Sequence, residues 1–560
     1  MTAEKHRPTR LAGGAWDIPI LAVLTIACLA PFAGKAFHID DPLFIWTARH
    51  LVSHPADPYG LPVNWAGTAE GMHRIMWNPP ASSYYLALAG SLFGWGEVPL
   101  HLAHLLAAVL AVLGTYSLAR RFSERPLIAG LVALFTPAFL VCSSTVMCDT
   151  LMLAFLVWAA ALWVRGIDDR NGWILLGAAL AMSMSVLTKY NALLILPSLA
   201  GYAWMRRQGL GLWSLYFLIP LAALAGYMSF SLAAYGHGVV GRAMVHGFVA
   251  GKVLGTTLTG LSFLGGGLAP IIFVAPLIWG RSGLIIGVVV ALFAAVGARW
   301  LWLYDPVSAR DSLAAGLVLP AHLGVFVAGG VTLLIVAATD VVRKRDAAAW
   351  MLALWLGAGL LFSTFVSWAN SGRYVLPVVP AAAILVVRAL DARALRHPVA
   401  TWSLTVALTL AAAVGIAVNW SDFALANSAR RAAQEISARF SAGPGKLILQ
   451  GHWGFQYYMM ARRAEPMEAD GGVLSVGDHV ATPLNGPGGP LVPVLPSNIA
   501  AEVASIAVPA GRWVTTMRYD MGIGFHSSTF GAVPFAFAKI PDERYIVQRM
   551  TQTTTCLRSD

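Results

Sequence analysis

Several short stretches of this chain set ionisable or hydrogen-bonding side chains at the ends of apolar runs. "FHIDDPL" carries Asp40 and Asp41 after some twenty mostly apolar residues, and "WNPP" carries Asn78. "SSTVMCDTLML" carries Asp149 and "LTKYN" carries Lys189. "GRAMVHGFVAGK" holds Arg242, His246 and Lys252, and "NSGRYVLPVVP" holds Arg373 and Tyr374. Ionisable groups at a membrane boundary are costly if they face lipid, so they face a cavity and pair with each other or with a substrate. A carboxylate can take the proton of a hydroxyl or amine nucleophile. Arginine and lysine can neutralise a phosphate, arginine in two-pronged fashion. A phosphate on a long lipid tail would lie at this depth. The combination fits group transfer from a lipid phosphate to an acceptor on one side of a membrane.

Each of these residues also has a structural reading. Lys189 and Arg373 could snorkel to headgroups, and His246 could be an ordinary loop histidine. Asp149 could cap the helix it opens. Asp40 or Asp41 could cap a helix starting at Pro42, because Asp before Pro marks a helix start. Two adjacent carboxylates exceed what one cap requires, so one of them is expected to be catalytic.

The elements that would position these groups are membrane helices. Of 560 residues 58% are hydrophobic, and mean hydropathy is +0.67. That composition excludes an ordinary soluble domain and points to a polytopic membrane protein. About thirteen apolar runs approach spanning length, the first near 17–37 and the last near 401–419. The first is read as a retained span rather than a cleaved signal. A net charge of +11 would suit nucleic acid, but its distribution follows topology instead. Alternate loops, from "EKHRPTR" to "RALDARALRHP", hold 17 Lys/Arg, against about nine in the opposite loops up to Arg373. This positive-inside pattern puts the N-terminus in the cytoplasm and residues 421–560 outside. Four cysteines do not make a disulfide framework.

Two segments on the outer side are large. Residues 38–98 form a loop in which "PPASSYYLALAGSLFGW" reads as an interface-lying helix after a proline start. Residues 421–560 have soluble composition. "KLILQG", "HVATPL", "RWVTTMRY" and "ERYIVQRM" predict strands, with "GFQYYMMARR" as a helix. The expected architecture is an α-helical polytopic membrane domain over 1–420 and a small α/β domain over 421–560.

Five of these stretches, in chain order, resemble the motifs of the GT-C superfamily of membrane glycosyltransferases, in its protein O-mannosyltransferase and aminoarabinose transferase branch. They are "IDDP", "WNPPASSYYLALAGSLFG", "SSTVMCDTLML", "SVLTKYNALLILP" and "SGRYVLPVVPAAAIL". The resemblance covers about residues 15–390. It implies a polyprenyl-phosphate sugar donor, transfer with inversion, and a bacterial cytoplasmic membrane. Carried onto this chain, Asp40 is the general base with Asp41 beside it, and Asp149 is a second acid. Arg373 and Tyr374 contact the donor phosphate or its lipid, and His246 and Lys252 match a histidine and a basic residue of an outer loop. The chain departs from the pattern at Asn78, where relatives often have His or Lys before the proline pair. The missing charge would then come from Lys189, Arg242 or Lys252. Some relatives carry a divalent ion near this site. Asp40, Asp41, Asp149 and His246 offer ligands, but their spacing is no metal motif and the sequence shows no required cofactor.

A transporter or flippase for a lipid-linked or anionic substrate is the alternative. The polar groups cluster at one face rather than the midplane, and no inverted repeat is evident, which weighs against it. A third reading makes the protein a non-catalytic assembly or sensor protein, with residues 421–560 as its binding module.

Overall fold

The structure is a computed structural model that describes residues 13–238, 253–303, 313–395, 397, 399–484 and 494–556. Arg242, His246 and Lys252 lie outside the described residues. Most of the rest is helix. Among the described residues seven helices are long and apolar enough to cross a membrane, or nine if two bent pairs each count as one span. Three shorter apolar helices accompany them. One bend, of 62°, falls between Pro126–Leu134 and Pro137–Ser143. Pro137 cannot donate a helical hydrogen bond, and Thr136 caps the new helix by accepting from the Phe139 amide.

The first helix, α1 (Asp17–Leu29), packs through Leu21 and Leu29 into the main apolar core. The chain then turns through Lys35–Asp40 into α2 (Asp41–Ser53), started by the Asp–Asp–Pro sequence. A short hairpin follows, β1 (Pro62–Asn64) against β2 (Ala69–Gly71). Helix α3 (Ala81–Phe93) begins just after the proline pair and leaves Tyr84, Leu88 and Leu92 exposed at four-residue spacing. That single apolar stripe is the pattern expected of a helix lying at an interface. Helices α4 (Cys148–Asp168) and α5 (Gly172–Thr188) pack closely against each other and close the bundle near Lys189.

Helix α6 (Thr401–Phe440) starts as an apolar run and continues unbroken for 40 residues into the polar tail. The tail carries a five-stranded sheet in the order β4-β3-β5-β7-β6. These strands are β3 (Leu447–Leu449), β4 (Glu465–Pro466), β5 (His479–Pro483), β6 (Ala500–Val508) and β7 (Glu543–Met550). β3 pairs in parallel with β4 and β5, and β7 runs antiparallel between β5 and β6. Helix α7 (Trp453–Met460) follows β3. Three of the four expected strand segments and the expected helix form as read, while "RWVTTMRY" gives two two-residue strands, Val514–Thr515 and Met517–Arg518, in separate two-stranded pairs. β6 is an addition: "AAEVASIAV" has weak strand propensity and is held by pairing with β7.

Candidate active site

Five of the residues singled out in the sequence line one cavity of about 430 Å³: Asp40, Asn78, Lys189, Arg373 and Tyr374. That is ample for a small ligand. They converge from the turn before α2, the approach to α3, the end of α5 and the short helix Gly372–Val375.

Asp40 occupies the N-cap position of α2, yet its side chain makes no capping bond. It faces the cavity instead and accepts a hydrogen bond from Arg373 Nη1 at 2.8 Å. The Asp40 side chain keeps 28% exposure and that of Arg373 keeps 11%, so the pair sits at a wet edge with its back to the protein. Ser371 accepts from the Arg373 amide and sets the start of its helix. Arg373 Nε is buried and has no hydrogen-bond partner among the described residues.

Asp41 turns away from the cavity. One carboxylate oxygen accepts from the His38 amide at 2.8 Å and the other from the Val146 amide at 2.9 Å. The side chain therefore ties the Asp40 turn to the segment before α4, and its place is that of a clamp rather than a proton acceptor for substrate. Asp149 also stands behind the cavity wall. It accepts from Lys189 Nζ at 2.6 Å, and both groups are buried. The ammonium of Lys189 also lies 4.7 Å from the centre of the Tyr374 ring. Among the described residues the Asn78 side chain has only a long contact to the Met76 sulfur at 3.9 Å, while its backbone carbonyl accepts from the Tyr59 hydroxyl.

The turn carrying Asp40 is strained. Ile39 has φ +48°, a left-handed conformation that a β-branched side chain rarely adopts. Such a residue costs about 1–3 kcal/mol and persists only where its surroundings hold it.

Sequence reasoning missed several wall residues. Glu70 and Arg74 line the cavity, as do Trp65, Trp77 and Trp368. Glu70 lies on a three-residue strand, too short to show a period, and nothing marks these tryptophans among the chain's 20. A buried network below the site was missed as well. Asp422 of α6 accepts from Lys35 Nζ at 2.6 Å, from Thr516 at 2.9 Å and from His526 Nε2 at 3.0 Å, with His38 Nε2 3.9 Å away.

The described residues do not gather a metal site at the cavity. Asp40 and Asp149, two of the ligands considered, are each engaged by a cation. His38, Asp422 and His526 do come together. There, however, the Lys35 ammonium already neutralises the carboxylate, and donors occupy both its oxygens. The cluster is built as a hydrogen-bonded ion pair.

Burial pushes the Asp41 carboxyl up to about 7, overriding the two amide bonds and Lys35, which act the other way. Burial likewise pushes the tail's Glu543 up to about 7 despite Arg518 beside it. A carboxyl raised in the folded state favours folding most below its unfolded value near 4, and that contribution is lost as pH rises through about 7. Burial holds His38 and His452 below the usual histidine range and so acts the other way over the same pH window. The carboxyl contribution is therefore read as a difference, the melting temperature of Asp41→Asn being expected to rise relative to that of the wild type between pH 5.5 and pH 8. A difference between Asp41→Asn and the wild type that does not change with pH would contradict the burial argument.

These features define a multi-pass membrane protein whose bundle ends in a cavity of paired acids and cations. The resemblance drawn from the motifs is borne out: residues 78–232 match the family model described as dolichyl-phosphate-mannose-protein mannosyltransferase. That match, a little over a quarter of the chain, supports a membrane glycosyltransferase. No curated protein matches. Similar solved structures include ArnT from Cupriavidus metallidurans bound to undecaprenyl phosphate, at 15% identity and TM-score 0.41 over 84% of this chain and 94% of that one. The Archaeoglobus fulgidus oligosaccharyltransferase in the apo form is 14% identical, at TM-score 0.47 over 80% and 64%. Arabinofuranosyltransferase AftD from Mycobacteria is 12% identical, at TM-score 0.39 over 98% and 40%. Likeness at this level says nothing about which residues act.

Proposed function

We propose that this protein is an inverting glycosyltransferase that moves a sugar from a polyprenyl phosphate to an acceptor hydroxyl or amine on the outer face of a bacterial cytoplasmic membrane. The observation that carries this reading is the Asp40–Arg373 pair, an acid and a cation 2.8 Å apart at the edge of one cavity. In the proposed step Asp40 takes the proton from the acceptor heteroatom as that atom bonds to the anomeric carbon. The bond from that carbon to the phosphate oxygen breaks on the opposite face, and its electron pair leaves with the phosphate. Arg373 and Lys189 neutralise the charge that develops there. A donor phosphate must compete with Asp40 for Arg373, so donor binding frees the carboxylate to act as a base. The family description names a lipid-phosphate sugar as donor, which supports the same class here.

The test is to incubate the purified protein with polyprenyl-phosphate sugars and to measure release of free polyprenyl phosphate, with and without candidate acceptors. Transport of labelled lipid with no covalent change would favour a flippase instead. Arg373→Ala is expected to raise the donor KM about 10- to 100-fold, as loss of a charge-assisted phosphate contact does. The acceptor KM should stay nearly constant. An unchanged donor dependence would remove Arg373 from the phosphate site.

A further inference from the structure

The tail bonds to both of the turns that carry Asp40 and Arg373. On the Asp40 side, the Phe37 amide donates to the Tyr458 hydroxyl oxygen at 2.8 Å, and that hydroxyl donates to Glu97 at 2.8 Å. Gly454, one turn earlier on α7, lies so close to the Phe37 carbonyl oxygen that a methyl group there would collide with it. The Ala36 amide donates to Asn427 of α6 at 3.2 Å, and Lys35 is fixed by Asp422, which His526 also holds. On the Arg373 side, the Gly372 amide donates to the Phe525 carbonyl at 2.8 Å. Asn370 and Ser528 exchange two more bonds: the Ser528 amide donates to the Asn370 carbonyl at 2.8 Å, and the Asn370 amide to the Ser528 hydroxyl at 2.9 Å.

We propose that the tail is a positioning element of this centre. Residues 453–458 hold the strained turn that presents Asp40, and residues 525–528 hold the turn that presents Arg373. The Asp40 turn and the second tail segment meet through Lys35, Asp422 and His526, so the distance between acid and cation is set from outside the bundle. This assigns "GHWGFQYYMM" and "GFHSS" a role that composition alone does not suggest. The assignment rests on the glycosyltransferase reading for its catalytic consequence, but not for the clamp itself.

The experiment uses the full-length protein in detergent, with Tyr458→Phe as the main variant and Lys446→Gln, in an exposed tail ion pair, as the control. Two readouts are taken: amide hydrogen exchange over residues 35–41, and kcat against donor KM. For Tyr458→Phe, exchange at Phe37 and His38 is expected to rise about tenfold. kcat is expected to fall about 10- to 100-fold, as small misplacements of catalytic groups do, with donor KM within about twofold. Lys446→Gln should match the wild type in both. Unchanged exchange in Tyr458→Phe overturns the clamp. Faster exchange with an unchanged kcat overturns its positioning role. If the wild type turns over no polyprenyl-phosphate sugar, the functional reading fails, and the exchange result alone judges the clamp.

Discussion

Asp40→Asn is expected to lower kcat for transfer by about 10²–10⁴-fold, the usual contribution of a positioned base, while the protein still folds and inserts. The side chain does not cap its helix, and it is held by Arg373. Removing the charge also frees Arg373 from its internal partner. The donor KM should therefore fall or stay level in Asp40→Asn, whereas Arg373→Ala raises it. The two ends of one ion pair thus move donor affinity in opposite directions. Measuring lipid-phosphate release at varied donor concentration separates the two effects. Near-normal turnover in Asp40→Asn would end its assignment as base.

The second large effect concerns stability. Lys189→Met leaves the buried Asp149 carboxylate without its hydrogen-bonded cation, and breaking a buried pair this way costs about 3–5 kcal/mol. The cation over the Tyr374 ring is lost as well. The double variant Lys189→Met with Asp149→Asn removes both charges at nearly constant volume. It is expected to recover most of the lost melting temperature but little of the activity, because the cavity then lacks one of the cations facing the donor. Thermal unfolding in detergent over the full mutant cycle tests this. A double variant no more stable than the single would show that the pair is not the source of the loss.

Much of the site was legible in the sequence for one physical reason. A charge at the end of an apolar run is expensive unless something accommodates it, so Asp40, Lys189 and Arg373 stand out from the apolar pattern alone. Which charge meets which was not legible. Asp149 and Lys189 are 40 residues apart, and Asp40 and Arg373 are 333. The different fates of Asp40 and Asp41 depend on the turn at Ile39, whose left-handed backbone no propensity suggests. Lys35 and Asp422 are ordinary-looking charges beside apolar runs, and only tertiary packing reveals them as a fully buried pair. The fold follows the same division. Long apolar helices and the alternating strand "ERYIVQRM" declare themselves, while β6 becomes a strand only because β7 needs a neighbour.

Helix α6 has a consequence of another kind. Forty helical residues span about 60 Å, enough to be rooted among apolar helices at one end and to stand clear of them at the other. It is a mast stepped in the bilayer, with Asp422 and Asn427 part-way up as the cleats to which the Asp40 turn is made fast. A mast does not hinge at deck level. A tilt of this helix in the surrounding lipid is therefore expected to reach the Asp40 turn through those two fastenings.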